Sequence, residues 1–487
     1  MSELVVLLER REVGVVRHER GRLTFVYADS WRSARGAYPL SLSMPLAAAE
    51  HRHAAIEPFL WGLLPDNDFV LERWAQRFQV SARNAFALLS HVGEDCAGAV
   101  QFVRPERRDE LFGDRPAEVE WLTEGEVAVR LRALQRDASA SRAPSDTGQF
   151  SLAGAQPKTA LLFDGSRWGV PSGREPTTHI LKPPTSFHGH AENEQLCLML
   201  ASALGLPTAR SEIRQFEDVV AIVVERYDRV RIADLVAARA SLAAAKAAEA
   251  ATLAASGEPN AAARAASAAA AAAEASASAQ ALTEFAKTTH TYRVHQEDFC
   301  QALQVHPSRK YQNEGGPGPK QIVDLLRTHA SGARRSAERG APMAHEEDIA
   351  TFVDALILNW LIGGTDAHAK NYSILIGSGG LVRLAPLYDI ASIFAYPEIN
   401  SDKAKLAMKI GNTYRLREIG LSAWRKLAAD LRVDPDALVD RARAMATELP
   451  DRLSAEVLRL RQAGLAHVVI DNLANVLPER ATIAARM

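Results

Sequence analysis

Apolar and polar positions along the chain change period several times, and each change marks an expected element. Leu4 to Leu8 and Thr24 to Tyr27 read as two short strands separated by a charged turn. Leu40-Ser41-Leu42-Ser43 alternates as a third, so the chain is expected to open with a small sheet-containing module. The spacing then shifts to three and four. Pro58 to Pro65 and a helix from Phe69 to Phe78 bring aromatic and aliphatic groups onto one face, as packing requires. Arg104 to Arg115, with Pro105, Gly113 and the adjoining Pro116, is a charged run that predicts a boundary near residue 110.

From Phe150 the pattern becomes strand, turn, strand: Thr159 to Phe163, the turn Asp164-Gly165, then Trp168 to Val170, with His179 to Lys182 ahead of Pro183-Pro184. A helix is predicted from Glu192 to Leu204, ended by Gly205, and Val219 to Val224 forms another apolar strand. An antiparallel sheet with one helix in this order resembles a small nucleotide-cradling lobe. Alanine then takes over, filling 26 of the 43 positions from 237 to 279. Because alanine has the best helix propensity and Gly257-Glu258-Pro259-Asn260 interrupts the run, the segment predicts two helices in a hairpin. Its only large aliphatic anchors are Leu242, Leu253 and Leu282, so it buries little and reads as a projecting insertion. Beyond it come a buried helix, Ile349 to Ile362, a two-strand element, and helices from Ser422 onward. The expected class is α+β, in four segments: 1–110, 111–230, the insertion 231–290, and a mainly helical 291–487.

Composition narrows the function. With 57 Lys+Arg against 59 Asp+Glu, the chain is nearly neutral, which argues against a protein that holds nucleic acid chiefly by charge. Hydrophobic residues at 47% exclude a disordered or collagen-like chain. Cys96, Cys197 and Cys300 are far apart and odd in number, so neither a disulfide framework nor a four-thiolate zinc site is expected. Glu9, Arg10 and Arg11 cut short the first apolar run, and the only long small-residue stretch is broken by Arg264 and Glu274. The expectation is a cytoplasmic protein without a membrane segment.

The candidate chemistry lies in Gly363 to Asn371, a loop between the apolar helix and the strand Tyr372 to Ile376. Asp366 and Asn371 have the Asp-x4-Asn spacing of a kinase catalytic loop, in which the aspartate addresses the acceptor hydroxyl and the asparagine holds a metal. A hairpin later, Tyr388-Asp389 places a second carboxylate at a strand exit, 18 residues after Asn371. Hard Mg²⁺ takes few protein oxygens when a triphosphate supplies the rest, so Asn371 and Asp389 suffice as metal ligands. His368 has no second histidine at ligand spacing and is expected beside the nucleotide, with Lys370 and Tyr388, rather than on zinc. Lys182, at a strand end, is the candidate phosphate contact, and either Glu194 or Glu192 on the following helix is its partner, with Glu194 preferred. Glu225-Arg226-Tyr227 leaves the sheet where a lobe connector offers backbone groups to adenine. Ser151 heads a small-residue loop, Ala153-Gly154-Ala155-Gln156-Pro157-Lys158, placed to cover phosphates although it is not a Walker A sequence.

These segments together resemble the HipA-type serine/threonine protein kinases, toxins of bacterial type II toxin-antitoxin modules. The resemblance spans most of the chain. It rests on Pro39 to Leu46, Gly62 to Asp66, Gly93 with Gly98-Ala99-Val100, Ser151 to Thr159, His179 to Lys182 and Glu225 to Arg229. It continues through His295 to Asp298, Lys310-Tyr311 with Gly315 to Gly318, the Asp366 loop and Pro386 to Ile390. It implies a two-lobed protein-kinase-like fold with an added N-terminal module, and ATP and Mg²⁺ as reactants. Asp366 would be catalytic, Asn371 and Asp389 metal ligands, Lys182 a phosphate contact and Ser151 an autophosphorylation site. An aminoacyl-tRNA synthetase is the implied substrate, with arrest of translation and persistence as the outcome. The implied partner is a helix-turn-helix antitoxin, through which operator DNA is reached. The alanine-rich insertion departs from the pattern but leaves these motifs intact. Two other readings share the residues: a small-molecule or lipid kinase, and a pseudokinase acting as corepressor.

Overall fold

The computed structural model describes residues 2–112, 118–143, 146, 150–184, 188–256, 260–287, 289–329 and 344–487. It opens on a five-stranded antiparallel sheet: β1 (Ser2–Leu8), β2 (Arg11–Glu19), β3 (Arg22–Tyr27), β4 (Glu50–Arg52) and β5 (Val100–Val103), in the order β4-β3-β2-β1-β5. The charged segment expected as a turn is mostly β2. The turns are the two-residue reversals at its ends: Glu9 and Arg10, both left-handed at φ 51° and 60°, let Leu8 pair with Arg11, and Arg20-Gly21, at φ 49° and 76°, let Glu19 pair with Arg22. Leu40 to Ser43 is not a strand either. Its amides go to side chains, Leu40 N–H to the Tyr27 hydroxyl at 2.8 Å and Leu42 N–H to Glu297 Oε1 at 2.8 Å, and Leu40 and Ser41 are buried together, so the segment packs without ladder pairing and its alternation marks no two-faced strand. The helix Asp68–Phe78 begins at Asn67, whose side chain accepts from Phe69 N–H at 3.0 Å.

A second sheet of six strands carries the nucleotide-lobe pattern: β6 (Val119–Leu122), β7 (Thr159–Phe163), β8 (Trp168–Pro171), β9 (His179–Lys182), β10 (Ser211–Phe216) and β11 (Val219–Glu225), ordered β10-β11-β9-β7-β8-β6. One face packs Leu161, Leu181, Phe216 and Val223 against Val127 and Leu131 of the Glu124–Arg136 helix. The helix His190–Ala203 packs on β10 and β11. The boundary expected near 110 falls within the short helix Arg108–Phe112, and the residues after it, 113–117, lie outside the described residues.

The insertion is a pair of 25-residue helices, Ile232–Ser256 and Ala261–Phe285, packed on each other. The expected break at Gly257 to Pro259 lies outside the described residues, and Asn260 follows it at φ 66°. Ala261, Ala268 and Ala275 are the buried positions of the second helix, a seven-residue spacing that small side chains permit at close approach. The remainder is mainly helical around Ala344–Ile362, Leu421–Leu431, Pro435–Gln462 and Val468–Ala485, with a small sheet in which Ser373–Gly377 lies between His295–Asp298 and Leu381–Leu384. A single apolar core joins this helical body to the N-terminal module, from Leu4 and Phe59 through Phe299 and Phe352 to Leu473. Among the described residues no helix is long and apolar enough to cross a membrane, and Cys96, Cys197 and Cys300 are buried free thiols.

Candidate active site

A cleft of about 510 Å³ lies between the six-stranded sheet and the helical body, and the N-terminal module adds Gly62 and Asp66 to its wall. At its sheet side, β11 fixes the end of β9 by pairing Ile222 with Lys182. The buried Lys182 Nζ lies 2.7 Å from Glu194 Oε1 and 2.8 Å from Asp389 Oδ1. Glu194, not Glu192, makes this contact. Burial alone would lower the Lys182 pKa, but Asp389 and Glu194 overcome it and raise it. Burial likewise opposes the Asp389 charge, yet Lys182 and Lys158 hold that carboxyl well below its usual range. Asp389 also stands at φ 57°, a conformation rare for a residue with a side chain and often kept where function requires it.

Across the cleft, the apolar helix ends at Ile362 and Gly363 turns the chain at φ 68°, where a Cβ would meet the Phe394 ring at 2.5 Å. The loop that follows folds on the Asp366 carbonyl, which accepts from His368 N–H at 2.7 Å and from Asn371 Nδ2 at 2.9 Å. The Asp366 carboxylate is exposed, and its Oδ1 accepts from the Tyr311 hydroxyl at 2.5 Å. His368 is buried edge-on against the Tyr311 ring, 5.0 Å between centroids, and burial pushes its pKa down to about 4, so it packs as a neutral ring. No cluster of three or more His, Cys, Asp or Glu able to hold a metal exists among the described residues. Lys370 borders the cleft but gives its ammonium to Asp66, whose other oxygen takes Lys310 at 2.9 Å. Burial would raise the Asp66 pKa, and the two lysines lower it instead. The Tyr388 hydroxyl donates to the Lys370 carbonyl at 2.7 Å, supporting the loop from behind.

The loop above is held down by the N-terminal module. Ser151 has no exposed surface; its Oγ donates to Leu63 O at 2.7 Å and its N–H to Asp95 O at 3.0 Å. Gly154, at φ 99°, accepts from Asp66 N–H at 3.1 Å, and a side chain there would meet Lys158 Nζ at 2.6 Å. Lys158 folds back to Ala153 O at 2.8 Å, and burial, then neighbouring Lys182, brings its pKa down to about 8. Ala155 is exposed, with Gln156 and Pro157 half-buried beside it.

All three residues expected at the connector border the cleft, with different partners. Glu225 ends β11 half-buried, and Tyr227 lines the cleft with its hydroxyl on Gln296. Arg226 borders the cleft too, but its guanidinium binds Asp228, Thr177 and the Cys96 carbonyl. Its N–H goes to Thr178 O and its carbonyl accepts from Arg229 N–H, so the Arg226 side chain serves a buried ion cluster while its backbone ties the connector to neighbouring backbone. Sequence reasoning missed Asp66, Asp95, Lys310 and Tyr311 as parts of this site. Asp66, Lys310 and Tyr311 stood in segments that carry the family resemblance, but no local spacing says that Asp66 meets a lysine 304 residues away.

A family profile described as the HipA N-terminal domain matches residues 4–103, and one described as the HipA-like C-terminal domain matches 150–289 and 260–453. The putative kinase Y4mE of Sinorhizobium fredii is 34% identical over 433 residues, 88% of this chain and 85% of the relative. The serine/threonine-protein kinase toxin HipA of Shewanella oneidensis is 26% identical over 89% of this chain and 84% of its own. Among solved structures, HipA in the Shewanella oneidensis complex of HipA, HipB and operator DNA superposes with a TM-score of 0.69 at 24% identity, covering 99% of this chain and 97% of that one, and so shares the fold.

Proposed function

The chain belongs to the HipA family, and on that premise we propose that it is a serine/threonine protein kinase acting as the toxin of a toxin-antitoxin module. One observation carries the reading: Lys182 joins Glu194 and Asp389 in the same cleft that holds Asp366 and Asn371. A buried lysine kept charged by two carboxylates suits the phosphates of ATP, and Lys158 supplies a second cation beneath the covering loop. Asn371 spends its amide N–H on Asp366, leaving its carbonyl oxygen, with the second oxygen of Asp389, as hard donors that fit Mg²⁺. When bound, the metal would neutralise charge on the phosphate oxygens. Asp366, exposed at the cleft mouth, takes the proton of the incoming protein hydroxyl.

The kinship to a protein named as a kinase toxin, and the shared fold with one solved with HipB and operator DNA, support two of the partners proposed here, a helix-turn-helix antitoxin and operator DNA through it; an aminoacyl-tRNA synthetase is proposed as acceptor from the sequence resemblance alone. Ser151 is the proposed self-regulating site. A phosphate there carries roughly 1.5 to 2 negative charges, which cannot stay in a pocket that exposes none of the serine, so modification expels the loop and dismantles the nucleotide site. Labelled ATP and a panel of purified synthetases test the reading. The expected result is transfer to one synthetase that the Asp366→Asn protein does not perform; ATP binding with phosphate passed only to metabolites or lipids would replace it.

A further inference from the structure

Among the described residues, Tyr311 is the one group that hydrogen-bonds the carboxylate of Asp366, and it does so with a hydroxyl. That is the functional group, at the distance, through which an acceptor serine or threonine would address a catalytic base. The position is built. Tyr311 O accepts from Glu314 N–H at 3.0 Å and Gly316 N–H at 2.9 Å, closing a turn that requires glycine, since a Cβ on Gly316 would lie 2.2 Å from Arg309 O and 2.7 Å from Tyr311 O. Lys310 beside it is anchored on Asp66, and the ring rests on His368, itself part of the catalytic loop. Burial, and then the Asp366 hydrogen bond, raises the phenol's pKa, so the hydroxyl keeps its proton and is the donor.

We infer that Tyr311 is a specificity-determining residue of the acceptor side, its hydroxyl standing in for the acceptor at Asp366 and keeping water from that place until a protein hydroxyl displaces it. The inference rests on the kinase reading above. A kinase with an open, exposed base risks spending ATP on water. In that side reaction the water oxygen bonds to the γ-phosphorus, the bond from phosphorus to the β,γ-bridging oxygen breaks with its electron pair leaving on ADP, and the water proton passes to Asp366. The products are ADP and phosphate. With the phenol in place, the oxygen bonded to Asp366 is a phenolic hydroxyl carried by a residue whose backbone is held by the Gly315-Gly316 turn. Removing only that oxygen gives water the vacated place.

The test measures phosphate release from Mg-ATP without any acceptor, together with ATP affinity by calorimetry, for the full-length wild type, Tyr311→Phe, Asp366→Asn and the double variant. Tyr311→Phe is expected to hydrolyse ATP severalfold faster than wild type at similar ATP affinity, and the double variant to fall back to the Asp366→Asn level. Hydrolysis unchanged in Tyr311→Phe, or lowered together with phosphoryl transfer, overturns the inference and makes Tyr311 a support for Asp366 only. Phosphate found on Tyr311 by mass spectrometry overturns it as well, because the hydroxyl is then an acceptor. Thermal melts confirm that the variant is folded, and Tyr311→Leu repeats the measurement if phenylalanine is not tolerated. A wild type that binds no ATP fails the kinase reading itself, a result distinct from all of these.

Discussion

Replacing Asp95 by asparagine removes one charge from a buried cluster that ties the N-terminal module to the lobe connector. Asp95 Oδ1 lies 2.8 Å from Arg229 Nη2 and 3.7 Å from Arg293 Nε, while Oδ2 lies 3.5 Å from Arg226 Nη1 and accepts from Thr177 N–H at 2.9 Å. Asp228 serves Arg226 and Arg229 from the other side, so three guanidinium groups share two carboxylates and the cluster already carries a positive excess. At an effective dielectric of about 20, each close ion contact is worth about 4 kcal/mol before desolvation. Desolvation of buried ions cancels much of that, and removing one member of a buried pair costs about 3 to 5 kcal/mol in practice. Asp95→Asn should fall in that range. With an unfolding entropy of about 2.1 cal/mol/K per residue, a cooperative chain of 487 residues loses about 1 °C in Tm per kcal/mol, hence about 3 to 5 °C. Urea titration gives the free energy directly, and Arg293→Met in the same chain should restore part of it by removing the excess cation. The pH dependence carries a second signature. Burial opposes the Asp95 charge, but Arg229, Arg226 and Arg293 hold its folded pKa well below the unfolded value. Its contribution is therefore present above the unfolded carboxylate pKa of about 3.9 and is lost as pH falls toward the folded one, so the variant's acid limb should be shallower. A loss under about 1 kcal/mol, the scale of an exposed pair, would refute the reasoning.

Asp366→Asn should abolish phosphoryl transfer while leaving ATP affinity near normal, whereas Asp389→Asn should weaken Mg-ATP binding too, because it also breaks the 2.8 Å contact to Lys182; calorimetry with labelled-ATP transfer checks both, and normal turnover in Asp366→Asn would sink the assignment. Replacing 237–287 by a short Gly/Ser linker should leave a cooperative melt and its Mg-ATP shift intact, since the hairpin's buried residues beyond the retained Ile232 are alanines; a lost transition would place the hairpin in the core. Incubation with Mg-ATP should put phosphate on Ser151 and remove ATP affinity in step with its stoichiometry, read by mass spectrometry and calorimetry; modified protein that still binds ATP would exclude loop expulsion.

Local pattern determined the elements whose cause is local. The strands β7, β9 and β11 and the helix Asp68–Phe78 follow from side-chain period, and the paired alanine helices follow from propensity. Asp366, Asn371, Asp389 and Lys182 were legible because their chemistry is written in short spacings and in positions at strand ends. Tertiary structure alone decided which glutamate reaches Lys182, because Glu192 and Glu194 differ only in which way the helix turns them. It decided that Arg226 joins an ion cluster, that Leu40 to Ser43 gives its amides to Tyr27 and Glu297, and that Tyr311 lies on Asp366. Each of these is a pairing of polar groups, often hundreds of residues apart. A lone charge or hydroxyl has no period, and its partner is chosen only when burial brings the two together and makes leaving either one unpaired costly.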